Sequence, residues 1–384
     1  MEIYLDNGAT SYPKPEIVYE TVDHFLREIG ASVGRGCYPR ALEAGRIVYN
    51  TRKKLAELFN VVEPKRIVFT HNATESLNLA VKGLLQPGDH VISSTMEHLA
   101  LWRPLKKLEK ERDVEVTYIQ CSPQGEISIE GIVSAIKPNT KLIALLHASN
   151  VTGTLFPIEE IGRIAKERNI RFLVDCSQTA GAYPVDVQRA NIDLLAFTGH
   201  KCLLGLQGTG GLYISADVSL KTLKEGGVGG YTLLEDQPDI LPERFEAGTL
   251  NVVGIAGLGA GVSFILDKGI GRIRQHKEEL ISYFLEELKK IRNINIYGPL
   301  DLQKKVGVIS INLQNQKPSE VGKILGEKYQ IAVRTGLHCA PWAHQTIGTL
   351  ENGTIRFSLG YFNNKEDLNY TLEVLEKIAN PLLV

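Results

Sequence analysis

The chain has 384 residues, with 43 lysines and arginines against 44 aspartates and glutamates, which gives a formal net charge of −1 at pH 7. This length allows a large buried core and favours two domains over one. A charge so close to zero argues against nucleic acid or an anionic membrane as a partner. No segment has the uninterrupted apolar length that spans a bilayer, and the N-terminus carries acids where a signal peptide carries bases. We therefore expect a cytoplasmic protein.

The five cysteines are widely scattered and form no Cys-x-x-Cys pair. This spacing supports neither a zinc ribbon nor a disulfide framework, and we expect no metal site. Each cysteine has to be judged singly. For Cys37, near the N-terminal loop, an inert thiol is our interpretation.

The N-terminal residues are rich in Asn, Gly, Ser and Pro, which favours an irregular arm over residues 1–15. Apolar residues at helical spacing predict helices over residues 16–29 and 42–59. The loop between them places Arg35 between two glycines, where its side chain can approach a ligand closely. A solvated loop arginine is the alternative.

Strands and helices then alternate as far as residue 214. Apolar runs predict strands over residues 66–70, 90–94, 114–119, 141–147, 171–175, 194–197 and 211–214, with helices over 75–85, 100–112, 129–136 and 158–167. Several of these strands are almost entirely apolar, which is typical of a mainly parallel sheet covered by helices on both faces. Residues 226–246 show no periodicity and predict a long functional loop.

Beyond Thr249 the pattern predicts helices over residues 253–264, 273–288, 319–328 and 365–378, with shorter strands over 306–313, 331–334 and 354–357. This mixture indicates a smaller α+β domain. We expect an arm over residues 1–15 that packs with the small domain, a large domain over 16–252 and a small domain over 253–384. A ligand held by both domains would lie in the cleft between them.

A lysine and a carboxylate stand at the ends of two predicted strands. Lys201 follows an apolar run and a Thr-Gly-His turn, and strand ends of this kind bind ligands in α/β sheets. A desolvated lysine loses its proton easily and can form a Schiff base, whereas a lysine that reaches to solvent is the plain alternative. Asp175 ends another apolar run, and a buried carboxylate needs a partner. A protonated pyridine nitrogen would satisfy it, which points to pyridoxal phosphate.

Three polar segments also follow predicted strands. The segment Thr70-His-Asn-Ala-Thr74-Glu75 leads into a helix whose free backbone N–H groups can bind an anion, or else form an ordinary N-cap. His98 can face a ligand or be structural. Asn150 can donate an amide hydrogen bond or merely form a turn.

The small domain adds a cysteine and an arginine. Cys339 follows a glycine-containing turn between Arg334 and His338, which can lower its pKa toward the thiolate. Arg356 interrupts an apolar strand, where a charge is unfavourable unless it is paired. A substrate carboxylate or a structural salt bridge would satisfy it.

The order of these segments resembles the cysteine desulfurase family of class V, fold-type I pyridoxal-phosphate enzymes, nearest to the group II (SufS-like) branch. The matching segments are Tyr-Leu-Asp-Asn-Gly-Ala-Thr10, Asn-Ala-Thr-Glu75, Glu-His98, Ser-Asn150-Val-Thr-Gly, Val-Asp175-Cys-Ser-Gln178, Thr198-Gly-His-Lys201, Phe-Glu-Ala-Gly-Thr249 and Arg-Thr-Gly-Leu-His-Cys339-Ala. The resemblance implies an α/β fold of fold type I, with a mainly parallel central sheet and a smaller α+β C-terminal domain. The segment after Cys339 departs from the branch's pattern, and we expect it to shape access for the sulfur acceptor.

The resemblance also implies roles for the candidate residues. Lys201, Cys339 and His98 would be the catalytic residues. Lys201 would hold pyridoxal phosphate covalently, and Asp175 would pair with its pyridine nitrogen. The other cofactor contacts would be Gln178 at the phenolic oxygen, His98 on the ring, Ala73 beside it, Thr74, Thr198 and His200 at the phosphate, and Thr249 from the second subunit of a homodimer. Asn150 and Arg356 would orient the substrate carboxylate, with Arg35 as a further active-site arginine.

The implied reaction converts L-cysteine to L-alanine and leaves the sulfur on Cys339 as a persulfide. Lys201 would move the α-proton, and an acceptor protein would take the sulfur, as in iron–sulfur cluster assembly. The alternatives with the same cofactor are a selenocysteine lyase, a cysteine or cystine lyase, or another class V enzyme such as an aminotransferase. A noncatalytic scaffold with a decayed site is the alternative outside enzymes.

Overall fold

The structure, a computed structural model, describes residues 2–34 and 36–380. The helices of this part of the chain are α1 (Glu16–His24), α2 (Pro39–Phe59), α3 (Ala73–Leu84), α4 (Leu99–Arg112), α5 (Ile129–Ser134), α6 (Ile158–Glu167), α7 (Val252–Lys268), α8 (Ile270–Leu288), α9 (Pro318–Tyr329), α10 (Pro341–Thr346) and α11 (Lys365–Ala379). The strands are β1 (Ile3–Tyr4), β2 (Ile67–Thr70), β3 (His90–Ser94), β4 (Glu115–Ile119), β5 (Thr140–Leu146), β6 (Arg171–Asp175), β7 (Leu194–Thr198), β8 (Gly210–Ile214), β9 (Ile294–Tyr297), β10 (Val308–Leu313), β11 (Ile331–Ala332), β12 (Arg334–Gly336) and β13 (Thr354–Ser358).

A 7-stranded sheet of order β2-β8-β7-β6-β5-β3-β4 forms the centre of the molecule. The strands from β7 to β4 pair in parallel, and β8 runs antiparallel to both of its neighbours. Every residue of β7 is buried, because helices cover both faces of the sheet. Leu195 and Phe197 face one apolar cluster, while Leu194 and Ala196 face the other. The apolar runs of the sequence are therefore strands buried on both sides, and the predicted α/β fold is confirmed.

The C-terminal part contains a 4-stranded antiparallel sheet of order β12-β13-β10-β9. Its core includes Phe284 of α8 and Phe357 of β13, whose ring centroids lie 5.5 Å apart. The N-terminal arm joins this core, because β1 pairs in parallel with β11 and Leu5 is fully buried. The arm thus contacts the C-terminal part while its following residues continue toward the central sheet.

Helix α7 packs against α1 and α2. Its small residues allow this close approach: a Cβ on Gly259 would lie 2.2 Å from Oγ1 of Thr51, inside the contact distance of real atoms. The Thr51 hydroxyl also donates to the carbonyl of Ile255 at 3.2 Å. The predicted domain boundary at residue 253 stays a prediction.

No single helix in residues 2–34 and 36–380 combines the length and the apolar character needed to cross a bilayer. The pair α7 and α8 passes that test together by length and composition, but the two helices meet at an angle of 83°.

Most predicted elements appear within a few residues of their expected ends, and strands 90–94 and 171–175 and helix 158–167 match at both ends. The prediction of one strand over 331–334 is wrong, because the chain leaves β11, which pairs with β1, and enters β12, which pairs with β13. Strand β9 and helix α10 were not predicted; α10 has six residues, too few for a helical pattern to show.

A buried ion pair anchors the long loop that precedes α7. Arg52 of α2 donates to both carboxylate oxygens of Glu246, at 2.7 and 3.0 Å, and both side chains are only 6% exposed. Glu246 also accepts from the backbone N–H of Phe69 in β2 at 2.7 Å. The loop is therefore fastened to the edge of the central sheet three residues before Thr249.

We expect Glu246→Ala to lower the free energy of unfolding by about 3–5 kcal/mol, because it leaves a buried guanidinium without its partner. The double variant Arg52→Met/Glu246→Leu removes both charges and should recover most of that loss. Denaturant unfolding followed by circular dichroism measures both. A single variant as stable as the parent, or a double variant no better than the single one, would contradict this role of the pair.

Candidate active site

A cavity of about 230 Å³ lies at the carboxyl ends of β5, β6 and β7. These strands end at Leu146, Asp175 and Thr198, each of which lines the cavity. The arm, the starts of α3 and α4, and the segment around Cys339 form the other walls. The structure brings eleven of the predicted residues together here: Ala73, Thr74, His98, Asn150, Asp175, Gln178, Thr198, His200, Lys201, Cys339 and Arg356.

Lys201 and Asp175 place opposite charges in this cavity. Burial lowers the pKa of Lys201 to about 8, although the negative charge of Asp175 acts in the opposite direction. Oδ1 of Asp175 accepts from the backbone N–H of Ser177 at 2.9 Å and from its hydroxyl at 2.5 Å. The carboxylate is thereby fixed in orientation, and Lys201 becomes a free amine at a lower pH than an exposed lysine.

Two histidines of the cavity are neutral at pH 7. Burial, helped by the charge of Lys201, lowers the pKa of His98 to about 4. Its Nδ1 accepts from the backbone N–H of Ala100 at 3.0 Å, as an N-cap of α4. Burial and the charges of Lys201 and Lys14 lower the pKa of His200 to about 4, and its buried Nδ1 has no hydrogen-bond partner within the described residues. Such an orphaned atom suits a ligand's polar group.

The start of α3 forms another wall, through Asn72, Ala73 and Thr74. Asn72 caps the helix, because its side chain accepts from the backbone N–H of Glu75 at 3.0 Å. The N-cap that the sequence offered as an alternative is therefore present. It leaves the N–H groups of the first turn at the cavity, where an anion is favoured.

Arg356 is 1% exposed and joins three parts of the chain. It donates from Nη2 to Asp6 of the arm at 2.8 Å and from Nη1 to the carbonyl of Asn150 at 3.1 Å. The structural salt bridge offered as an alternative thus exists, but it engages only Nη2 of the guanidinium. Nε of Arg356 and Oδ1 of Asn150 are buried without a partner in residues 2–34 and 36–380. These two atoms can meet a bound ligand.

Cys339 lies at the mouth of the cavity, exposed, in a constrained backbone. Both His338 and Cys339 have left-handed φ angles, 47° and 58°, which non-glycine residues adopt rarely. The loop is held by a hydrogen bond from the N–H of Leu99 to the carbonyl of Cys339 at 2.9 Å and by another from Nδ2 of Asn150 to the carbonyl of His338 at 2.7 Å. Nη2 of Arg334 lies 3.9 Å from Sγ of Cys339. A positive charge therefore stands beside the thiol.

The expectation that His338 helps to form the thiolate is wrong. Its imidazole is buried, with Nε2 3.0 Å from the hydroxyl of Thr354, and burial together with the charge of Arg356 lowers its pKa to about 2. A neutral ring supplies no positive charge to Cys339. Arg334 is left as the cation of this segment that approaches the sulfur.

One described residue of the predicted set does not line this cavity. Thr249 is exposed and lines a separate cavity of about 800 Å³ beside Gly34 and Gly229, which is larger but holds none of the eleven residues gathered around Lys201. Arg35 lies outside the described residues. The role expected of each stays a prediction.

The sequence did not reveal two contributions of the arm. Asp6 pairs with Arg356, and the carbonyl of Gly8 accepts from Nε2 of Gln178 at 3.1 Å. A Cβ on Gly8 would lie 3.3 Å from Cζ of Arg356, so the arm approaches the site closely. The signal that could have found Asp6 was Arg356 itself, because a buried arginine requires a carboxylate.

Comparisons with known proteins show the family of the chain. The chain matches the family model of the class-V aminotransferases over residues 3–371. It is 37% identical to a probable cysteine desulfurase of Methanothermobacter thermautotrophicus, covering 98% of this chain and 94% of the relative. It is 35% identical to one of Pyrococcus abyssi, covering 99% and 95%.

Solved structures give the same result. An apo cysteine desulfurase from Thermococcus onnurineus NA1 superposes with a TM-score of 0.90 at 34% identity, covering 99% of this chain and 95% of that one. The cysteine desulfurase CsdA from Escherichia coli, in an S-sulfonic acid form, also has a TM-score of 0.90, at 28% identity, with coverage of 100% and 96%.

The depressed pKa of Lys201 can be measured by labelling. In cofactor-free protein, reductive methylation of Lys201 followed by mass spectrometry should rise with pH to a midpoint near 8, because only the free amine reacts and burial disfavours the ammonium. In urea the midpoint should return to about 10.4, the value of an unperturbed lysine. A midpoint near that value in the folded protein would contradict the assigned environment.

Proposed function

The chain belongs to the class-V aminotransferase family, and we propose that it is a pyridoxal-phosphate-dependent cysteine desulfurase that converts L-cysteine to L-alanine. The observation that carries this proposal is the meeting of Lys201, Asp175, Arg356 and Cys339 at one cavity. A lysine and a carboxylate can bind the cofactor, an arginine can bind the carboxylate of an amino acid, and an exposed thiol can accept sulfur. Relatives named cysteine desulfurase match over nearly the whole chain.

The residues present fit pyridoxal phosphate. Lys201 would attach it, and Asp175 would keep its pyridine nitrogen protonated. The first turn of α3 with Thr74, together with Thr198 and Nδ1 of His200, would hold its phosphate. When bound, pyridoxal phosphate supplies an electron sink for carbanion chemistry. Gln178 would bond its phenolic oxygen, and Ala73 and His98 would flank it.

Lys201 would carry out the proton transfer. With a pKa of about 8, its amine is partly unprotonated at neutral pH and can take the α-proton of the substrate. Asp175 lies in the same cavity and balances the charge when Lys201 becomes an ammonium again. Because His98 stays neutral, it adds an apolar ring face without a competing positive charge.

Arg356 and Asn150 would orient the substrate. Nε of Arg356, which has no partner among residues 2–34 and 36–380, would bind the α-carboxylate, while Asp6 and the carbonyl of Asn150 hold Nη2 and Nη1 in place. Asn150 lies between this arginine and the Cys339 loop, since it contacts Arg356 through its carbonyl and His338 through its amide. Binding the carboxylate is therefore mechanically linked to the position of the thiol.

Cys339 would accept the sulfur. Its thiolate, beside Arg334, would attack the sulfur atom of the substrate. A bond forms between the two sulfur atoms, and the bond between the substrate's Cβ and its sulfur breaks with its electron pair going to Cβ. Cβ then takes up a proton, so that cysteine and a thiol become alanine and a persulfide.

Dimerisation and the onward path of sulfur belong to the same proposal. Thr249 is exposed and does not line the cavity of its own chain, which is consistent with a contribution to the phosphate site of a second subunit. The persulfide on the exposed Cys339 would pass to an acceptor protein, with iron–sulfur cluster assembly as one use. Selenocysteine is the alternative substrate.

We expect Cys339→Ala to keep the visible absorbance of the bound cofactor but to lose sulfide release from L-cysteine under reductant by at least about 100-fold, because the nucleophile is absent. Cys37→Ala, at the other exposed cysteine, is the matched control and should keep the parent rate. Unchanged sulfide release in the Cys339 variant would remove its persulfide role, and pyruvate in place of alanine would indicate a lyase.

We expect Arg356→Lys to raise the KM for L-cysteine at least about tenfold, because an ammonium cannot replace the fixed guanidinium at the carboxylate. Inhibition by cysteamine, which has the amine and thiol but no carboxylate, should change less than about threefold. Steady-state kinetics on holoenzyme measures both. If the variant weakens the binding of L-cysteine and of cysteamine equally, Arg356 acts through the fold instead.

A further inference from the structure

The two tryptophans of the chain, Trp102 and Trp342, stack on one another. Their ring centroids lie 4.8 Å apart and their planes are inclined by 27°. Trp102 also stacks on Tyr118 of β4, at 4.1 Å. The three rings thus form a continuous stack from the edge of the central sheet, through α4, to α10, and we call it the aromatic stack.

Each tryptophan stands close to a residue at the cavity. Trp102 is one turn after His98, and its backbone N–H donates to the carbonyl of His98 at 3.1 Å. Trp342 is in the first turn of α10, immediately after the segment that carries Cys339. The aromatic stack therefore joins the two segments that the Leu99-to-Cys339 hydrogen bond also joins.

The loop around Cys339 requires such support. Two consecutive non-glycine residues in the left-handed region persist only where the surrounding structure fixes them. Helix α10 has six residues and cannot fix them alone, since a helix of that length is not stable by itself. The far end of α10 is attached by the hydroxyl of Thr346, which donates to that of Thr95 at 2.9 Å. The near end is attached by the aromatic stack.

The stack is also well sheltered at its centre. Trp102 is 8% exposed, whereas Trp342 is 37% exposed and covers it from the outside. Lys106 lies over the rings of Tyr118 and Trp102, at 4.5 and 5.6 Å from their centroids. An offset aromatic contact of this kind is directional, so it fixes the orientation of Trp342 and not only its distance from α4.

We propose that Trp342 is a positioning residue for sulfur transfer, which through its stack on Trp102 holds the Cys339 loop in the conformation that presents the thiol to the substrate's sulfur. The expected effect on the turnover rate rests on the proposed function. Because neither tryptophan lines the cavity, the cofactor and substrate sites are expected to be independent of the stack.

The test compares Trp342→Phe, which keeps a ring that can stack, with Trp342→Leu, which keeps a similar apolar volume without one. In holoenzyme, the leucine variant should release sulfide about tenfold more slowly at saturating L-cysteine, with KM within about twofold and cofactor absorbance unchanged. The phenylalanine variant should stay within about twofold of the parent. Leu350→Ala, an exposed apolar residue of the same segment, is the control and should match the parent.

A second readout does not depend on the reaction. The alkylation rate of Cys339 by iodoacetamide, measured by peptide mass spectrometry, should change about tenfold in Trp342→Leu and less than about twofold in Trp342→Phe. If the parent enzyme releases no sulfide but the variants show this alkylation pattern, the proposed function is rejected and the positioning role is retained. Three results would overturn the inference. The leucine variant could release sulfide at the parental rate, both variants could lose the same fraction of that rate, or cofactor absorbance could fall in proportion to the rate.

Discussion

A buried guanidinium ties the site together. Arg356 sits in β13 at 1% exposure, where its charge is tolerated because a carboxylate and a carbonyl accept from its two Nη atoms. Asp6 comes from the arm and the carbonyl of Asn150 from the loop after β5, so one side chain joins the N-terminal arm, the central sheet and the C-terminal sheet. These bonds hold the three parts together at the cavity.

The same exclusion of water sets the protonation of the cavity. Burial lowers the pKa of Lys201, His98 and His200, so that at neutral pH both imidazoles are neutral and the lysine is close to its titration point. Asp175 and Arg356 provide the fixed charges of opposite sign. In the proposed function, Asp175 serves the pyridine nitrogen of the cofactor and Arg356 serves the carboxylate of the substrate.

Much of the central sheet was predictable from the sequence, because strands buried on both faces appear as apolar runs and their ends are marked by polar residues. Lys201 and Asp175 were found in that way, from their positions after β7 and β6. The partner of Arg356 was not, since the chemistry of a buried arginine requires a carboxylate but does not say which one. Asp6 becomes its partner only through the pairing of β1 with β11.

The error about His338 has the same origin. Its position next to Cys339 suggested a nearby positive charge, but the left-handed backbone at both residues turns the imidazole into the protein, where burial keeps it neutral. The stack of Trp102 on Trp342 was equally invisible, because it joins segments far apart in the sequence. Local pattern reveals which residues can do chemistry, whereas tertiary packing decides what surrounds them.

In the proposed reaction, the sulfur of L-cysteine is transferred to Cys339. Holoenzyme mixed with one equivalent of L-cysteine in the absence of reductant and examined by intact-protein and peptide mass spectrometry tests it directly. We expect the mass of one added sulfur atom, located on the peptide of Cys339, together with an equal amount of alanine. Alanine or pyruvate formed while Cys339 keeps its original mass would contradict it.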